Sequence, residues 1–150
     1  MSMNSEAAPN SLAGKIAVVT GGGRDIGRAC ALKLAACGAA VAINYHSSSD
    51  GADSAVSEIT AAGGKAFAMQ GDMTSQADVA ALMDKTAESF NGQIDILVHV
   101  TGGLVARKTL AEMDIDHWEY VMALNATSFM RAAKAAVSYT HLTLPTICSV

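Results

Sequence analysis

Thr20-Gly21-Gly22-Gly23-Arg24-Asp25-Ile26-Gly27 decides how this chain is read. It closes a short apolar run, residues 15–21, of the kind that forms a strand buried on both faces. It opens residues 26–37, where Ile26, Ala29, Cys30, Leu32 and Leu34 recur at helical spacing and Gly38 supplies a stop. Glycines allow the tight turn and a close approach of backbone to a ligand. A helix starting here points its free N–H groups and positive end at the turn, which suits an anion such as a pyrophosphate. A glycine-rich turn without a ligand is the competing reading, and the place of the turn at the head of a β-α-β unit favours the phosphate. The spacing G-x-G-x-x-G does not fit, because Arg24 or Ile26 falls where a glycine is needed.

The same alternation continues outward. Residues 39–45 read as a second strand, 65–71 as a third and 94–100 as a fourth, each nearly continuous in apolar residues. Helices are expected over 50–62, with Gly63 and Gly64 as its stop, over 75–91, and over about 116–136. The last carries Trp118, Val121, Met122, Phe129 and Ala132. The order β-α-β-α-β-α-β-α predicts a parallel, doubly wound α/β sheet with helices on both faces. Ligands of such sheets sit beyond the carboxyl ends of the strands, here after residues 21, 45, 71 and 100.

Composition agrees with one soluble unit. The 150 residues are 51% hydrophobic and 16% charged, with a net charge of −4. Scattered basic residues exclude a nucleic-acid patch, and no apolar run is long enough for a membrane span. Residues 1–12 lack the basic start and apolar stretch of a signal peptide and are expected to be a disordered tail. The three cysteines include no C-x-x-C pair, so neither a disulfide framework nor a metal site is expected. Cys30 and Cys37 read as core thiols. These features predict a cytoplasmic protein. All charge stops at Lys134, and residues 135–150 carry none.

From about Leu12 to Ala136 the chain resembles the short-chain dehydrogenase/reductase family. Thr20, Gly21 and Gly27 match the family pattern T-G-x-x-x-G-x-G, and Asp25 stands where the middle glycine is usual. Asp tolerates turn conformations and is able to cap the helix that follows. The resemblance implies a Rossmann-type fold, cut short after the fourth strand and the helix that follows it. It also implies a dinucleotide coenzyme held by Gly21, Gly22, Gly23, Arg24, Ile26, Gly27, Tyr45, His46, Asp72, Met73 and Gly102. Asp72 would accept from the adenine amino group, with Met73 beside the ring. Asp72 also reads as part of a helix entry before Thr74 and Ser75, and both roles are compatible. Where an NAD-binding fold places an acidic residue on the ribose, this chain has Asn44-Tyr45-His46-Ser47. Arg24 offers a forked contact to a 2′-phosphate, so NADP is favoured over NAD. His99-Val100-Thr101-Gly102 replaces the family's Asn-Asn-Ala-Gly, and His99 reads as a structural brace rather than a catalytic group. Asn125 corresponds to the active-site Asn of the family, which distorts its helix and holds a water in a proton relay. A locally satisfied Asn is the alternative.

The implied activity is ketone reduction or alcohol oxidation by hydride transfer, on a small carbonyl or alcohol substrate. The segment from Arg24 to Arg28 and Asn44 to Ser47 looks like 3-oxoacyl-carrier-protein reductases. The family's Ser and Tyr-x-x-x-Lys are not found: Tyr139 is followed four residues later by Thr143, and no Lys follows Lys134. Residues 137–150 instead resemble a translated sequencing adapter, a non-native tail. This chain is therefore expected to be an inactive, coenzyme-binding fragment. The parent is expected to be a homodimer or homotetramer, which would leave an apolar face exposed on the last helix.

Overall fold

A computed structural model describes residues 11–139. Strands β1 (Ile16–Thr20), β2 (Ala40–Tyr45), β3 (Ala66–Gln70) and β4 (Ile96–His99) alternate with helices α1 (Asp25–Ala36), α2 (Ser49–Ala61) and α3 (Gln76–Phe90). Helix α4 (Ile115–Met122), a π segment (Ala123–Thr127) and helix α5 (Ser128–Tyr139) follow. The strands form one parallel sheet in the order β3-β2-β1-β4. The reversal of strand order falls between β1 and β4, so the strand ends diverge there and open a crevice.

Period two along β1 sends its side chains to opposite faces. Ile16 and Val18 pack with Val79, Leu82 and Met83 of α3 and Ala132 and Ala136 of α5. Ala17 and Val19 pack with Ala31 of α1 and Ala52, Ala55 and Ile59 of α2. Each side chain as fully buried as Val18 or Val19 contributes about 1.5–3 kcal/mol. The central strand is buried throughout, whereas β3 and β4 are mostly half-buried. The expectation that the first strand is buried on both faces therefore holds for β1. Among the described residues β3 and β4 are the sheet edges.

Other expectations shift. The single helix over 116–136 is two helices joined by the π segment. Of the residues at helical spacing on α1, Ile26 is 70% exposed, and Ala29 is exposed too. Cys30 and Cys37 are half-buried rather than core thiols. Leu12 is anchored, its N–H donating to the Cys37 carbonyl at 2.7 Å. The rest of the expected N-terminal tail, residues 1–10, and residues 140–150 of the expected C-terminal one lie outside the described residues. No described helix is long and apolar enough to cross a membrane.

Candidate active site

The glycine loop is built by close packing. Gly21 has φ +64°, a left-handed conformation that glycine adopts without strain. A Cβ on Gly22 would lie 2.7 Å from Ile43 Cγ2, and one on Gly27 would lie 2.2 Å from the Gly21 carbonyl oxygen. Those two glycines set how closely α1 and β2 approach β1. Arg24 is the N-cap residue of α1, and no side chain caps that helix. The capping role expected of Asp25 is not seen. Asp25 instead takes φ 47° within the first turn, with its carboxylate exposed and 3.8 Å from Arg24 Nε. An Asp lacks the steric freedom of glycine there but, with its short side chain, visits this region more readily than most residues.

A cleft of about 420 Å³ opens over this loop at the carboxyl ends of the strands. Gly21, Gly23, Arg24, Ile26, Tyr45, His46, Asp72, Met73 and Gly102 all line it, so four separate strand ends bring the predicted residues together. Gly22, Gly27 and Asn125 do not line it, and Thr101, Tyr120 and Leu124 do. The exposure of Ile26 is explained by its place on this rim. Met73 is only 2% exposed and packs into the core beneath the cleft, so little of it faces the opening.

Two residues missed by sequence reasoning hold the loop. Asn44 is buried and stitches three strand ends: its Oδ1 accepts from Gly21 N at 3.3 Å, and its Nδ2 donates to the Gly71 carbonyl at 3.0 Å. The signal was a polar residue inside an apolar strand, which has to find partners once buried. Gly51, near the start of α2, leaves room for the Gly23 carbonyl, to which a Cβ would come within 1.9 Å. Its signal was an isolated glycine in a helical pattern.

At the third strand end Asp72 organises the turn. Its Oδ1 accepts from the Thr74 amide at 2.8 Å and the Thr74 hydroxyl at 2.7 Å. Ser75 is the N-cap of α3, accepting from Asp78 N. Burial acts to raise the Asp72 pKa, but the bonds from Thr74 and the nearby His46 outweigh it and hold the carboxyl below its usual range. Asp72 is therefore an anionic acceptor at the cleft wall.

At the fourth strand end His99 bridges two elements. Its Nδ1 lies 2.9 Å from Thr20 Oγ1 on β1, and its Nε2 lies 3.0 Å from Ser128 Oγ on α5. Burial pushes its pKa down. The structural reading of His99 agrees with this geometry. Asn125 sits in the π segment. Its Nδ2 donates to the Val121 carbonyl and to the Gly103 carbonyl, each at 2.8 Å, and its Oδ1 accepts from Gly103 N at 2.9 Å. The amide of Ser128 reaches back to the Ala123 carbonyl, five residues earlier, and its hydroxyl takes the Leu124 carbonyl at 2.6 Å. The widened turn thus has the Val121 and Leu124 carbonyls satisfied by side chains and the Ala123 carbonyl by a backbone amide. Asn125 is exposed and locally satisfied, and it clamps the loop after β4. Gly102 must be glycine for this clamp, since a Cβ would stand 2.7 Å from Asn125 Oδ1.

Comparison with known proteins decides the family. A family model described as short chain dehydrogenase matches residues 15–142. The chain belongs to the short-chain dehydrogenase family. It is 39% identical over 127 residues to an uncharacterized oxidoreductase of Methylorubrum extorquens, covering 85% of this chain and 50% of that protein. It is 39% identical over 125 residues to a 3-oxoacyl-[acyl-carrier-protein] reductase of Synechocystis, covering 83% and 50%. Among solved structures, a short chain dehydrogenase of Burkholderia cenocepacia in complex with NADP superposes with TM-score 0.82 at 38% identity, covering 87% of this chain and 52% of that one. This short-chain dehydrogenase chain spans about half the length of the curated relatives it matches. The shared half contains the cleft, the glycine loop and the π segment.

Proposed function

We propose that this chain is the coenzyme-binding half of an NADP(H)-dependent oxidoreductase that interconverts ketones and alcohols. The observation that carries the reading is the cleft itself, lined by the Gly21–Gly23 loop and the start of α1, which no side chain caps. The amides that open α1 would hold the pyrophosphate. Gly21 and Gly23 leave the backbone open to a close approach, as a phosphate needs. The exposed Arg24, with Tyr45 and His46 opposite, would take the 2′-phosphate of the adenosine ribose. Asp72 would accept from the adenine amino group, with Met73 below it, and Gly102 would keep the ribose side open. When bound, the nicotinamide supplies or accepts the hydride. In this half Asn125 would position the water of a proton relay through the acceptor capacity left on its Oδ1.

The group that exchanges the proton with substrate, and its Lys partner, are not identifiable in this chain. No Tyr of the sequence has a Lys four residues on. We therefore read the 150 residues as binding coenzyme without turnover, and residues 137–150 as foreign to the parent. The parent resembles the 3-oxoacyl-carrier-protein reductases and works in the cytoplasm as a dimer or tetramer. The exposed Trp118, Met122, Phe129 and Met130 on α4 and α5 support such assembly.

A fluorescence titration with NADPH and NADH, run beside a ketone-reduction assay, tests the reading. NADPH is expected to bind more tightly than NADH, with no turnover. Arg24→Ala is expected to erase the preference, costing about 1.5–3 kcal/mol of NADPH affinity as one charged hydrogen bond. Equal affinities in the unaltered chain, or measurable turnover, would overturn it.

A further inference from the structure

The hydroxyls of Thr20 and Ser128 and the ring of His99 form one line under the cleft. Their hydrogens have a single consistent arrangement. The Leu124 carbonyl only accepts, so the one hydroxyl hydrogen of Ser128 is committed to it at 2.6 Å. Ser128 Oγ must then accept from His99 Nε2 at 3.0 Å. The ring hydrogen is therefore on Nε2, and Nδ1 is an acceptor for the Thr20 hydroxyl at 2.9 Å. Thr20 Oγ1 receives the amides of Val100 and Thr101 at 3.3 and 3.4 Å, the Val100 amide being shared with the Thr20 carbonyl at 3.2 Å. Val100, Thr101 and Leu124 all line the cleft, so the line begins and ends on its wall.

We propose that His99 is a positioning residue which, as the neutral Nε2–H tautomer, couples the cleft backbone at Val100 and Thr101 to the π segment that carries Asn125. A protonated ring has donors on both nitrogens and would oppose the Thr20 hydroxyl at Nδ1. Protonation thus breaks the line at one point, and the Thr101 amide loses its fixed acceptor, while the Val100 amide keeps the Thr20 carbonyl at 3.2 Å. Burial favours the neutral ring. Among the described residues the surroundings supply no countercharge. On β1 and β4 the ionisable neighbours are Lys15 and Asp95, paired with each other at the opposite end of the strands. The π segment has no ionisable residue. On α5, Arg131 donates to the Thr74 carbonyl and Lys134 is exposed. On α1, Arg28 pairs with Glu58, Arg24 and Asp25 pair with each other at the rim, and Lys33 is exposed. The ring of Phe129 stands edge-on to His99 at 5.7 Å.

The coupling rests on the proposed coenzyme site only for its last readout. The experiment is nitrogen NMR of the His99 ring in the 150-residue chain from pH 8 to pH 5, with amide hydrogen exchange on the same samples. At pH 7.5 the ring is expected as the Nε2–H tautomer, with a titration midpoint below the ordinary 6.5. As pH falls through that midpoint, exchange at Thr101 should rise beyond its intrinsic pH trend. Thr20→Val should release the tautomer to a mixture and speed the Thr101 amide about tenfold, the scale of one lost hydrogen bond, while the Val100 amide, still held by the Thr20 carbonyl, and the Val41 amide keep their protection. Ser128→Ala is the second variant and should release the tautomer by the other end. An Nδ1–H or charged ring at pH 7.5 overturns the proposal, as does unchanged exchange in both variants. NADPH affinity is expected to weaken in parallel with the ring's titration. Absence of NADPH binding with the ring signature intact would overturn the proposed function and leave the coupling standing.

Discussion

Replacing Gly51 by Ala tests whether α2 truly buttresses the glycine loop. The added Cβ would lie 1.9 Å from the Gly23 carbonyl oxygen. A tolerated C···O contact needs about 3.3 Å, so one side must retreat by about 1.4 Å. Both sides are backbone, and neither has a side-chain rotamer with which to yield. Overpacking of this kind costs about 1–3 kcal/mol. Alanine's better helix propensity returns about 1 kcal/mol. The net expectation is a loss of up to about 2 kcal/mol, or up to about 8 °C in Tm for a chain of this size. The displaced Gly23 should also weaken NADPH binding about tenfold, which corresponds to about 1.4 kcal/mol. Gly63→Ala is the control. It has no neighbour within 4 Å but has φ +83°, so it should cost about 1–2 kcal/mol of stability without touching the cleft. Thermal melts and NADPH titrations of both variants read the result. A Gly51→Ala chain with unchanged Tm and affinity refutes the contact. Equal weakening of NADPH by Gly63→Ala refutes the claim that the effect is local to the loop.

Three further outcomes follow from the structure. Asp25→Gly removes a left-handed non-glycine residue at φ 47° and a carboxylate near the phosphate site, so it should raise stability by about 1 kcal/mol and tighten NADPH. A looser complex in titration would contradict this. Val105 is β-branched at φ 63°, and Val105→Gly should gain about 1 kcal/mol net of the extra chain entropy, seen as a higher urea midpoint. Asp114 caps α4 through His117 N, and the Lys108 ammonium, followed by that amide, lowers its carboxyl to about 2. A depressed carboxyl stabilises fully above its ordinary 3.8 and loses that contribution as pH falls through about 2. Protection of the His117 amide should therefore hold at pH 5 and fade between pH 4 and pH 2.

Much of the fold was legible because parallel sheets write their strands as apolar runs and their stops as glycines. β1, β2 and the helix ends at Gly38 and Gly63 lie within a residue or two of their expected places. The parts that were not legible share a physical cause. Periodicity reports which residues are apolar, and it does not report which elements cover them. Ile26 has the right spacing for a core position but projects onto the rim of the cleft, because α1 starts beneath it. The break in the last long helix has no periodic signature either. It depends on Asn125 and Ser128 taking carbonyls that an unbroken helix would satisfy with backbone. The same limit applied at the site. The glycine loop was visible as composition, but its supports act through single hydrogen bonds and one missing Cβ. Asn44 was read only as the absence of a carboxylate at the end of β2, yet its side chain fixes the Gly21 amide that opens the loop. Residues that bind by backbone approach leave a pattern of glycines, whereas residues that hold that backbone in place leave only single exceptions to a pattern, a polar residue in an apolar strand or one glycine in a helix.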